Sequence, residues 1–244
     1  MVIDLCTGGD LSLHLARKIA FTEDEARFYV AELVLAIEHL HSFDVLYRDL
    51  KPENILLDTE GHIRLADFGL SKENVGDGDT ARSFCGSPAY LSPEMLRNKG
   101  VGKAADIYGV GTVLYEMVVG SSPYYNDDIP KMYQNIRKAK LPFPEDVSEE
   151  CRNLVVKLLN RDPNTRIGVK DKNEIKNDPF FKSIDWEKLA KKEIEPPKFD
   201  PLDDEDEEPD LHFQPGKVHT DWDYEEKNKS VNRVRKFTFI RSDN

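Results

Sequence analysis

The run from Ala104 to Val119 is apolar nearly all the way round. A helix with one polar face can lie on a surface, but one without such a face must be enclosed, so this segment predicts a central helix inside a helical body. Gly109 and Gly111 within it let neighbouring chain approach closely. Thr22 and Glu25 form a capping box, and Ala26, Val30, Leu33, Ile37 and Leu40 follow at spacings of four and three. An amphipathic helix is therefore expected over 22–41. A second is expected from Ser148, with Cys151, Leu154, Val155 and Leu158 on one face. Two short apolar runs, Ile55 to Leu57 and Ile63 to Leu65, flank Asp58-Thr59-Glu60-Gly61, whose turn chemistry predicts a small β-hairpin. The expected fold class is mainly α, with that hairpin as its β-structure. Beyond about Trp186 the periodicity gives way to Pro, Asp and Glu, so the last fifty residues or so read as an irregular tail lying on or leaving the domain.

Several function classes are excluded by composition. A length of 244 residues, 39% of them hydrophobic, suits one domain with a tail rather than two enzymes. The net charge of -12 owes much to one acidic run, Asp203 to Asp210, and disfavours nucleic acid or anionic membrane as partner. Cys6, Cys85 and Cys151 are too few and too scattered for a disulfide framework or a zinc site. A reducing compartment is expected, the cytoplasm and by extension the nucleus. No run approaches the ~20 apolar residues of a membrane span, so a soluble protein is expected.

The most informative stretch is Tyr47-Arg48-Asp49-Leu50-Lys51-Pro52-Glu53-Asn54, then the hairpin, then Asp67-Phe68-Gly69. Phosphoryl transfer needs a base aimed at the attacking hydroxyl, a cation beside the moving phosphate, and oxygen ligands for a divalent ion. Asp49 is the candidate base, Lys51 the cation, and Asn54 and Asp67 the metal ligands, which the hairpin returns to one another. With Ser92-Pro93-Glu94 following, the chain resembles a eukaryotic protein kinase from Met1 to about Phe181, and Tyr47 in place of the commoner His is similar to the AGC group of Ser/Thr kinases.

That resemblance implies further roles. Ser83-Phe84-Cys85-Gly86-Ser87-Pro88-Ala89-Tyr90-Leu91 is similar to the activation and substrate-docking loops, with Ser83 the expected phosphosite opposite Arg48, and an upstream kinase to modify it. Ser87 and Leu91 are expected at the docked substrate, and the hydroxyl type of Ser87 implies Ser/Thr rather than Tyr targets. Ala89 stands where most of the group carry Glu. Glu94 and Arg166 match a buried ion pair, and Asp106 a residue holding the backbone of Tyr47 and Arg48. Glu53 and Asp10 imply protein substrates with basic residues near the target, Asp10 and Glu53 also contacting ATP; a second acidic partner expected on a later helix is replaced by Gln134.

The first ten residues resemble the last strand and hinge of the upper lobe, so the backbone of Asp4 and Cys6 and the side chain of Leu56 are expected to hold adenine. No Gly-rich loop, strand Lys or helix Glu precedes them. Residues 1–184 are accordingly expected to form the hinge and C-terminal lobe of a truncated kinase domain using ATP and Mg²⁺, with little activity alone. Residues 185–244 resemble the AGC C-terminal extension, with Thr238 in Val234-Arg235-Lys236-Phe237-Thr238-Phe239 as a tail phosphosite. The alternative is a non-catalytic, kinase-like binding module.

Overall fold

A computed structural model of the chain describes residues 6–81, 86–97 and 100–198. Asp4, Ser83 and Thr238, and most of the expected tail, lie outside the described residues. The described chain contains α1 (Leu11–Lys18), α2 (Glu23–Ser42), β1 (Ile55–Leu57), β2 (Ile63–Leu65), α3 (Pro93–Arg97), α4 (Ala104–Val119), α5 (Ile129–Lys138), α6 (Glu149–Leu158), α7 (Asn173–Lys176) and α8 (Trp186–Ala190). Short 3₁₀ turns occur at Pro52–Asn54, Pro88–Tyr90 and Pro179–Phe181.

The helix α4 is the axis. Of its residues, Ala105 through Tyr115, then Met117 and Val118, are buried, and it packs against α2 on one side and α6 on the other. Gly111 permits the second contact, because a Cβ there would lie 2.6 Å from Leu158 Cβ. Gly109 does the same for the loop after Tyr47: its Cβ would lie 2.9 Å from Leu50 Cβ. The main core joins α2, α4 and α6 through residues such as Leu33, Ile37, Val113, Leu114, Leu154 and Leu158.

Thr22 caps α2 as its spacing predicts: the hydroxyl accepts from Glu25 N–H, while Glu25 Oε2 accepts from Thr22 N–H at 2.9 Å. Ser148 caps α6 and donates its own N–H and hydroxyl to Glu23 at 2.6 and 2.7 Å, which ties the starts of α2 and α6 together. The strands pair antiparallel with Ile55 opposite Leu65 and Leu57 opposite Ile63. Asp58 closes their turn by accepting from Glu60 and His62 N–H at 3.1 and 3.0 Å.

The compact body does not stop at 184. Trp186 stacks edge-on against Phe181 at 5.2 Å and donates to Lys176 O at 3.2 Å, and Leu189 is buried. Lys192 then reaches Asp58 Oδ2 at 2.8 Å, so the described start of the expected tail is fastened to the hairpin. Among the described residues no helix is long and apolar enough to cross a membrane.

Candidate active site

Arg48 takes φ 71°, left-handed backbone that a residue bearing a Cβ adopts at a cost its surroundings must offset. The imposing group is Asp106 on α4, 1% exposed. Its carboxylate accepts from Tyr47 N–H at 2.9 Å and Arg48 N–H at 2.8 Å, and is bonded to His41 Nε2 at 2.8 Å. One buried anion thus sets the turn from which Asp49 projects. The Arg48 guanidinium donates from Nε to Leu70 O at 2.7 Å, linking this loop to the stretch after β2.

Three side chains converge on Asp49, itself buried. Asn54 Nδ2 donates to Asp49 O at 2.8 Å and to Oδ2 at 3.0 Å. Lys51 Nζ lies 3.4 Å from Oδ2 and donates to Ser87 Oγ at 3.1 Å. Ser87 gives its N–H to Asp49 Oδ1 at 3.2 Å and holds its hydroxyl 3.4 Å from the same atom. A hydroxyl oxygen therefore sits between a carboxylate that takes its proton side and an ammonium that faces its lone pairs.

Asp67 is placed differently. Ala66 N–H donates to Asn54 O at 2.9 Å, so Asp67 follows one residue beyond that rung. Tyr47, fully buried, donates its hydroxyl to Ala66 O and sets its ring edge-on to Phe68 at 5.3 Å. Burial, helped by the charge of Asp49, pushes the Tyr47 phenol well above its ordinary range and keeps it a donor. Asp67 itself has φ 50°, is exposed, and accepts from Gly69 N–H at 3.0 Å. The fold thus brings Asp49, Lys51, Asn54 and Ser87 together, and sets Asp67 beside them with its side chain on its own turn.

The donor chemistry suits Mg²⁺. With the Asn54 amide nitrogen directed at Asp49, its remaining polar atom is an oxygen, and the Asp67 carboxylate is a second hard donor. Among the described residues no three His, Cys, Asp or Glu side chains gather as a metal cluster. Such an ion would hold only these two protein ligands, with phosphate and water supplying the others, as suits Mg²⁺.

Beside this centre, Gly8 N–H donates to Leu57 O at 3.1 Å and Leu57 N–H to Gly9 O at 2.8 Å, with Asp10 bridging to Leu56. The approach requires glycine, since a Cβ on Gly8 would come within 2.6 Å of Leu57 Cβ. Half-buried Cys6 and Leu56 and the cap of α1 are thereby set along one edge. Asp10 Oδ1 is occupied as that cap, accepting from Ser12 and Leu13 N–H at 2.9 and 3.1 Å.

One expectation for substrate contact is corrected. Leu91, expected at the docked substrate, is 1% exposed and packs with Leu46, Met95 and Val101, so it supports the loop from beneath. Gln134, read as standing where a second acid was expected, is exposed, whereas Glu116 on α4 is half-buried and accepts from the Tyr90 hydroxyl at 2.7 Å. Burial pushes the Glu116 carboxyl up; the Tyr90 bond opposes this and the charge of exposed Glu53 adds to it. The signal was present: Asp106 and Glu116 are the two charged residues of an otherwise apolar segment.

Glu94 and Arg166 form a bidentate pair at 2.6 and 3.0 Å, with Arg166 1% exposed, donating also to Asn160 O at 2.9 Å and stacked over the Tyr108 ring. The pair fastens α3 to the loop after α6.

Comparisons with known proteins point the same way. The protein kinase domain model matches residues 1–181. A RAC family serine/threonine-protein kinase homolog of Dictyostelium discoideum is 50% identical over 197 residues, covering 80% of this chain and 44% of that protein. The serine/threonine-protein kinase sck1 of Schizosaccharomyces pombe is 50% identical over 200 residues, 81% of this chain and 29% of its own. The RAC-beta serine/threonine-protein kinase of Rattus norvegicus is 46% identical over 198 residues, 80% of this chain and 41% of its own. The chain thus spans less than half the length of these relatives.

Proposed function

The chain belongs to the protein kinase domain family, in its AGC group of serine/threonine kinases, and from that premise we propose that residues 1–184 are the hinge and C-terminal lobe of an enzyme that phosphorylates Ser and Thr, and 185–244 its C-terminal extension. One observation carries the chemistry: a hydroxyl, that of Ser87, is held 3.1 Å from the Lys51 ammonium and 3.4 Å from the Asp49 carboxylate. A substrate alcohol needs the same two neighbours. Asp49 orients the incoming hydroxyl and takes its proton as the new O–P bond forms and the bond from the γ-phosphorus of ATP to its bridging oxygen breaks. Lys51 balances charge on the moving phosphoryl, and Asn54 keeps the base in one rotamer by its two bonds to Asp49. Asn54 and Asp67 are the residues that would hold Mg²⁺, which when bound neutralises phosphate charge. Cys6, Asp10 and Leu56 are the residues proposed to receive the nucleotide base and ribose.

Glu53 and Glu116 favour a substrate carrying Arg or Lys near its target residue, since a half-buried carboxyl whose ionisation is opposed by a neighbouring one gains most from an incoming cation. Ser83 is the proposed site of activating phosphorylation by another kinase. Residues that would cover the phosphates from above do not occur in the 244, so transfer by these residues alone is expected to be slow.

The test is transfer of phosphate from labelled ATP to an Arg-containing Ser peptide, by this chain and by one extended upstream to include a Gly-rich loop and strand Lys. Asp49→Asn is expected to lower the rate of the extended chain about 10²–10⁴-fold. Glu116→Gln should raise KM for the Arg peptide and leave a peptide lacking Arg unaffected. An extended chain that binds the peptide yet transfers no phosphate would instead favour the non-catalytic module.

A further inference from the structure

Away from the site described above, a cavity of about 290 Å³ opens between α2, the start of α4, α7 and residues 77–80. Its inner wall is Val34 and Ile37 of α2, Ile107 and Val110 of α4, and Ile175 of α7, all buried in the fold. Nothing in the proposed phosphoryl transfer uses them. The volume is at the small end of ligand sites, enough for roughly a bicyclic ring.

Two features select the head group of a ligand. One is His41, which lines the chamber at 6% exposure. Its Nε2 lies 2.8 Å from Asp106 Oδ2, a carboxylate oxygen that also accepts from Tyr47 N–H, so Nε2 carries the proton and, in the neutral ring, Nδ1 is an acceptor. No donor meets Nδ1 among the described residues. The other is the rim, which carries more acid than base. Lys103 is shared by Asp44 and Asp77 at 2.8 Å each, and the charge of Lys172 falls on Asp77 as well. Glu38 is matched by Lys176 and Glu94 by Arg166. Asp79 meets no cation among the described residues; it is exposed and accepts from Gly76 N–H at 3.2 Å. An apolar chamber with an unpaired acceptor in its wall and an unmatched carboxylate at its mouth fits an amphiphile whose head donates hydrogen bonds and carries positive charge.

We propose that this cavity binds a small apolar primary amine, its hydrocarbon body against Ile37, Ile107, Val110 and Ile175 and its ammonium at the mouth, donating to His41 Nδ1 and facing the excess charge of Asp79. Bound there, the head group extends a chain of hydrogen bonds that runs from His41 through Asp106 to the N–H groups of Tyr47 and Arg48, the turn from which Asp49 projects. The ligand also touches residues 79–80, which rest on bare backbone: a Cβ would lie 2.9 Å from Asp79 O at Gly102 and 2.4 Å from Thr80 Oγ1 at Gly100. The cavity thus gives the protein a small-molecule input apart from nucleotide and substrate, and binding there does not depend on the proposed transfer.

The probe is naphthalene-2-methylamine, with neutral naphthalene-2-methanol and anionic naphthalene-2-carboxylate for comparison. Each is titrated, at about pH 8 to keep an ordinary imidazole neutral, into the whole chain labelled at Ile δ1 methyls and His ring nitrogens. With the amine, saturable shifts are expected at Ile37, Ile107, Ile175 and the His41 Nδ1 signal, with Ile55 and Ile63 of the hairpin unmoved. The amine should bind tightest and the carboxylate most weakly. Asp79→Asn should weaken the amine about two- to fivefold, the worth of one solvent-facing ion pair, and leave the alcohol unchanged. Ile107→Phe should abolish binding of both while the protein stays folded; if that variant does not fold, the Asp79→Asn comparison decides. The proposal is overturned if the three methyls do not shift, if the His41 signal stays still while they do, if the carboxylate binds as tightly as the amine, or if Asp79→Asn changes amine and alcohol equally.

Discussion

Asp106 orders more of the site than any other single side chain, although it touches no reacting group. Removing it strands two buried N–H donors and releases Arg48 from left-handed backbone. Asp106→Ala should lower unfolding free energy by about 3–5 kcal/mol, and Asp106→Asn by less, since one acceptor survives; urea titration of both variants checks this. Arg166→Met leaves Glu94 buried without its cation, with a loss of similar size, roughly 3–5 kcal/mol, that the double change with Glu94→Leu should largely recover. Glu116 carries a pH signature. Its carboxyl is pushed up in the fold, so the native state binds the extra proton, and its contribution to stability is greatest below the ordinary 4.5 and declines as pH rises through the raised value. Glu116→Gln should remove that decline, read as flatter urea midpoints as pH rises above the ordinary 4.5. At this scale the motif residues Asp49, Lys51 and Asn54 were legible because five positions of chain hold them together. Glu116 was not, because its partner Tyr90 lies 26 residues away and local spacing says nothing about which distant groups meet.

The hairpin shows what an element adds. Burial would raise the Asp58 carboxyl, but Lys192 and the N–H groups of His62 and Glu60 outweigh it and hold the group at about 2. A depressed acid contributes stability that is complete above its ordinary 3.8 and is lost as pH falls from there through about 2. Asp58→Asn should erase that acid step, and Lys192→Met should shrink it, in unfolding midpoints measured across the same window. The hairpin, α2, α4 and α6 were readable because caps, turn residues and periodicity are local signals. Eight-residue α1 was missed, since a helix of two turns behind its cap Asp10 is too short to show a period. The five residues of α8 offer Trp186 and Leu189 at one spacing of three, too little for a period, so no helix was read there.

At the scale of the molecule, enclosure of α4 was the decisive legible fact, because an all-round apolar helix fixes a helical shell whatever the loops do. What encloses it was legible only through glycine. Gly111→Ala would drive a methyl into Leu158, an overpacking cost of about 1–3 kcal/mol, and should lower Tm by several degrees in calorimetry. Gly109 has another neighbour. The loop bearing Asp49 rests there on bare backbone through Leu50, with no side chain between. A methyl at 109 would act as a shim beneath Leu50 and so beneath its neighbour Asp49, which makes a buried glycine of α4 a tuning screw for turnover.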